Sequence, residues 1–134
     1  MKIYIRKAEI KDSNSISKLC LQFGYKTDIH QLKSRLTKIL PNKENCVFIA
    51  ETDHKVVGWI HAFLSFRVES SPFVEISGFV VDEKYRNMGI GKKLLSAVYN
   101  WTKSVDQKKV RVRCNTKRLE THKFYLSNNF VISY

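Results

Sequence analysis

Two places in this sequence hold residues that could do chemistry rather than only pack. The first is Arg86-Asn87-Met88-Gly89-Ile90-Gly91, followed at once by Lys92 and Lys93. Before it lies an apolar run rich in β-branched and aromatic residues, Phe73 to Val81. After it, Ile90, Leu94, Ala97, Val98 and Trp101 fall on one helical face. A helix start leaves its first backbone N–H groups unpaired at the positive end of the macrodipole. Glycine at that point lets a phosphate approach with no Cβ in the way. The spacing therefore predicts a phosphate cradle, against the plainer reading of a helix cap that uses glycine for backbone reasons alone. The second place is Glu75, a carboxylate within the apolar strand. Such a group is costly unless it is paired or faces a cleft. It reads either as the structural partner of a nearby Arg or His, or as a general base.

The kind of phosphate ligand follows from which motifs fail. A P-loop needs Gly-x-x-x-x-Gly-Lys-Ser/Thr, but Arg86 stands at the first glycine and Lys93 at the hydroxyl position. A dinucleotide fingerprint needs a third glycine where Leu94 stands. The pattern Arg-x-x-Gly-x-Gly, after an apolar strand ending Val-Val-Asp, resembles the acetyl-CoA loop of the GCN5-related N-acetyltransferase (GNAT) family. A second block is similar to that family as well: Asn115 at a strand end, then His122-Lys123-Phe124-Tyr125 on a helix. Asn129 stands before Phe130 where the family carries Gly, a mild departure because Asn tolerates the left-handed conformation.

The resemblance implies acetyl transfer from acetyl-CoA, as co-substrate and with no metal, to a primary amine that attacks the thioester directly. The pyrophosphate would rest on the N–H groups from Asn87 through Met88, Gly89, Ile90 and Gly91 to Lys92, beside Arg86. The pantetheine arm would lie along Phe79, Val80 and Val81, oriented by Asn115, with a backbone N–H near Phe79 for the oxyanion. A primary amine is mostly protonated at neutral pH, so it must lose a proton before it attacks. Glu75, directly or through a water, is the candidate base, and Tyr125 the donor to the leaving thiolate. Trp59, His61 and Glu69 are candidates on the acceptor side, although a lone His on an apolar face also reads as a satisfied core residue. Cys114 as an acetylated nucleophile is disfavoured, because no His lies nearby in the sequence to activate it.

These groups must be positioned by a single α/β domain over residues 1–134. Lys2 to Ala8 alternates as a strand. Asp12 or Ser13 can cap a helix through Phe23 that Gly24 closes, and a second helix runs from about Thr27 to Leu40. Asn45–Glu51 and Val56–Phe66 make an antiparallel hairpin, with Trp59, His61 and Phe63 on one face. Arg67 to Ser71 reads as a connection, and Pro72 marks the start of the central strand. There Glu75, Ser77, Phe79 and Val81 nominally share a face, unless Gly78 marks a bulge. A strand over Lys108–Cys114 and a helix over 118–126 follow. The family resemblance implies a mixed, mostly antiparallel sheet of six to seven strands with about four helices, in the order β-α-α-β-β-β-α-β-α-β. The family's sheet usually ends in a hairpin, whereas this sequence stops at Tyr134 in the first of its strands. Either the chain is cut short or a partner, such as a second copy in a homodimer, covers the open edge.

Composition bounds the remaining choices. The 134 residues, 43% of them apolar, are enough for a core without staples. Cys20, Cys46 and Cys114 are far apart and read as reduced, mostly buried thiols. The N-terminus lacks a signal-peptide pattern, and the longest apolar run, Val56 to Phe66, is too short to span a bilayer, so a cytoplasmic protein away from membranes is expected. Of the net charge of +12, residues 84–123 carry +10. A basic nucleic-acid-binding module is one alternative, but the basic stretch lacks interleaved aromatics for base stacking, which makes nucleic acid a weaker partner than a phosphorylated cofactor. A non-catalytic acyl-CoA sensor is the other, separated from an enzyme by an acceptor screen.

Overall fold

A computed structural model describes residues 1–113 and 131–133. The helix expected over 118–126 lies outside them, and with it Cys114, Asn115, Tyr125 and Asn129. The described elements are β1 (Tyr4–Lys7), α1 (Ser13–Leu21), α2 (Ile29–Ile39), β2 (Asn45–Thr52), β3 (Lys55–Arg67), β4 (Ser70–Val81), α3 (Ile90–Thr102), β5 (Val110–Arg113) and β6 (Val131–Ser133). The strands form one six-stranded sheet in chain order. The first four pair antiparallel, and β5 pairs parallel with both β4 and β6.

Local sequence explains where the elements turn. Asp53 and His54 both take positive φ, 49° and 62°, in the two-residue loop that suits a right-twisted hairpin. The next hairpin is tighter than expected. Arg67 pairs with Ser70 across Val68 and Glu69, so β4 begins before Pro72 rather than after it. Pro72 is tolerated because the ladder is irregular between Ser65 and Arg67, where no N–H is demanded of it. Asp28 caps α2 by accepting from the N–H groups of His30 and Gln31 at 2.9 and 3.0 Å.

Each face of the sheet carries its own cluster. α3 lays Ile90, Leu94, Leu95 and Val98 on Ile60, Ala62, Val74, Ile76, Val110 and Val112. On the other face, α1 and α2 bring Ile16, Cys20, Leu32 and Leu36 to Val47, Ile49 and Trp59. Burying one such aliphatic side chain stabilises the fold by about 1.5–3 kcal/mol. Arg6 fastens the start of α1 to the sheet, donating to both Asp12 oxygens at 2.8 Å and to Glu51 at 3.1 Å. Burial works to raise the Asp12 carboxyl, but the Arg6 and Glu9 hydrogen bonds outweigh it and hold the group below its ordinary value.

Candidate active site

The site begins where β4 changes phase. His61 faces Gly78 while the next residue, Ala62, faces Ile76, so Ser77 is the extra residue of a β-bulge. Val74 and Ile76 pack against α3, and beyond the bulge so do Phe79 and Val81. The expected common face is therefore corrected: Glu75 and Ser77 look toward α1 and α2, and Phe79 and Val81 look the other way. Gly78 is required here, because a Cβ on it would come within 2.5 Å of the Trp59 ring. Among the described residues, the parallel ladder between β4 and β5 pairs Val74, Glu75 and Ile76 with Val110, Arg111 and Val112.

Beyond β4 the chain is shaped for a helix start with an open backbone. Asp82 is buried and accepts the Lys84 N–H at 3.0 Å. Asn87 (φ 63°) and Gly89 (φ 80°) are left-handed, and Gly89 is the residue that opens α3. No side chain caps that first turn. Arg86, Asn87, Met88, Gly89, Lys92 and Lys93 are exposed, whereas Ile90 is fully buried and anchors the helix. A Cβ at Gly89 would touch nothing within 4 Å, so glycine is needed for its conformation, and the space above it is open. Exposed backbone, dipole and lysines meet at one point, which is what an anionic ligand requires. The loop is also tied to the end of α1: the Arg86 guanidinium lies 4.9 Å over the Phe23 ring, and the Glu83 N–H donates to Gln22 Oε1 at 3.0 Å.

Glu75 is buried, and Arg67 Nη2 donates to its Oε1 at 3.1 Å. Arg111 stands opposite it in register on β5. Both guanidinium groups also lie over the Phe73 ring, at 5.0 and 4.2 Å. The Arg67 contact is the one a structural partner makes.

The sequence-predicted acceptor-side residues are brought together only in part. Trp59 stands over Gly78 with its indole N–H buried and lacking a hydrogen-bond partner among the described residues. His61 is two residues along the same face, its ring 6.0 Å from that of Phe63. Glu69 is exposed in the β3–β4 turn, away from them. Two residues escaped the sequence reading. Asn45 Oδ1 lies 2.8 Å from His61 Nε2, and Ser77 Oγ lies 2.8 Å from His61 Nδ1. Each is sixteen positions from His61, so no local pattern could have announced them; only the strand register unites the three.

Comparison with known proteins agrees with this geometry. The sequence profile of the Acetyltransferase (GNAT) family matches residues 14–130. An aminoglycoside N(6')-acetyltransferase type 1 from Stenotrophomonas maltophilia is 28% identical over 123 residues, covering 88% of this chain and 79% of the relative. Among solved structures, a GNAT family acetyltransferase from Staphylococcus aureus superposes with a TM-score of 0.75 at 25% identity, covering 87% of this chain and 90% of that one. AAC(6')-Iy in complex with a bisubstrate analogue of CoA and acetylneamine gives a TM-score of 0.85 at 21% identity, covering 100% and 97%. The match over most of the length, with the glycine turn at the head of α3 where the family's acetyl-CoA loop is expected, places the chain in the acetyltransferase (GNAT) family.

Proposed function

We propose that this protein transfers the acetyl group of acetyl-CoA to a primary amine. The observation that carries the reading is the uncapped start of α3, with left-handed Gly89 and Asn87, exposed lysines and open space above the glycine. The N–H groups from Asn87 to Lys92 hold the pyrophosphate. The arm runs beside β4 along Phe79, Val80 and Val81. The amine nitrogen then attacks the thioester carbon, the C–S bond breaks, and Tyr125 protonates the departing thiolate. An amino sugar is one acceptor class consistent with the aminoglycoside acetyltransferase relative.

Thermal stability should rise with the logarithm of the acetyl-CoA concentration once the ligand exceeds its dissociation constant. Gly89→Glu should abolish that rise, through backbone strain and charge repulsion at the phosphate. A folded protein whose melting temperature ignores millimolar acetyl-CoA would overturn the reading.

A further inference from the structure

We propose that Ser77, His61 and Asn45 form a proton relay that takes the proton from the attacking amine, so that Ser77 rather than Glu75 is the group the amine touches. The inference rests on the acetyl-transfer reading and extends it to a set of residues on three adjacent strands.

The hydrogen bonds fix the direction of the relay. An amide oxygen can only accept, so Asn45 Oδ1 receives a hydrogen from His61 Nε2. That leaves Nδ1 with its lone pair, and the Ser77 hydroxyl, 2.8 Å away, donates to it. Asn45 thereby holds the imidazole in one tautomer and steadies it once protonated. His61 is largely shielded by the sheet, while Ser77 is exposed. The bulge is what turns Ser77 toward the face it shares with Trp59 and His61. Glu75, two residues away, has an arginine on Oε1 instead.

The step balances as follows. The amine lone pair forms the N–C bond, and the nitrogen, now positively charged, becomes more acidic. It passes a proton to Ser77 Oγ as the Ser77 proton moves to His61 Nδ1. Collapse of the adduct expels the thiolate with the C–S electron pair, and Tyr125 supplies its proton. The imidazolium returns its proton to water through Ser77, and Tyr125 recovers one from water, so each turnover yields an amide and a thiol.

The surroundings of His61 leave it neutral at pH 7. Burial pushes its imidazole below the ordinary value of 6.5. From β2 it meets Asn45 and Val47, neither of which titrates. From β4 it meets Ser77 and, further along, Glu75 with its Arg67 partner. α1 and α2 cover this face through Ile16, Leu32, Leu36 and the thiol of Cys20, which burial keeps protonated.

The test uses the full chain with acetyl-CoA and a panel of primary amines, aminoglycosides included, followed by thiol release. Ser77→Ala should cut kcat about 10- to 100-fold while the acetyl-CoA thermal shift is retained. His61→Gln should lose as much, and the double variant no more than either, because the groups act as one unit. Asn45→Asp should raise the protonation midpoint of His61 and carry the acid limb of the kcat profile to higher pH, an effect that a packing role would not produce. NMR of the imidazole nitrogens in the protein alone should show the Nε2–H tautomer, and the same upward movement in Asn45→Asp. Turnover of Ser77→Ala at the parent rate, or an acid limb unmoved in Asn45→Asp, would overturn the relay and leave acetyl transfer standing. A protein that neither binds acetyl-CoA nor releases thiol with any amine would overturn acetyl transfer, and the relay with it.

Discussion

At the residue scale, the informative contrast is between two groups two positions apart on β4. Glu75 drew notice in the sequence as a charge in an apolar strand, either the structural partner of a nearby Arg or His or a general base, and Arg67, reached across the β3–β4 hairpin, is such a partner. A buried carboxylate held by a guanidinium contributes to stability mainly by sparing both groups an unpaired burial. Glu75→Gln should therefore lower unfolding stability by about 1–3 kcal/mol, as read by urea denaturation, and leave turnover within a few-fold of the parent. Unchanged stability together with a hundredfold loss of turnover would return the base role to Glu75. His61 read as a satisfied core histidine or an acceptor contact, and both of its ring nitrogens are hydrogen-bonded, to Asn45 and Ser77.

At the element scale, the first five strands and the first three helices were legible from periodicity, with boundaries off by up to three residues at the ends, whereas β6 was expected from the family resemblance alone. The exceptions have physical causes. The Val68–Glu69 turn carries no Gly or Asn to announce it, so the connection was read too long and β4 too short. The bulge was signalled by Gly78, but the extra residue is Ser77, and that single position decides which β4 side chains share a face with His61. Gly78 is needed because the Trp59 ring occupies the space of its missing Cβ. Gly78→Ala should displace the indole and strain the bulge, costing about 1–3 kcal/mol of stability and lowering kcat as Ser77 is re-aimed. A thermal melt and a steady-state assay read the two effects separately. Full stability would show that Trp59 swings aside without cost.

At the scale of the whole molecule, the fold and the glycine turn before α3 were legible because their signals are local: a strand, two glycines, a helix. The Asn45–His61–Ser77 cluster was not, since it is assembled from β2, β3 and β4 by register. Two contacts join the glycine turn to α1: Arg86 rests on Phe23 at the end of α1, and Gln22 holds Glu83 beside it. A ligand that stiffens that loop should therefore also stiffen the end of α1, and the expected outcome is that the protein loads its substrates in a fixed order, acetyl-CoA first. Phe23→Ala should cut this thread: initial-rate and product-inhibition patterns should drift from ordered toward random, while the affinity for acetyl-CoA changes little. Loading that is random in the parent would mean that the two substrates bind independently despite these contacts.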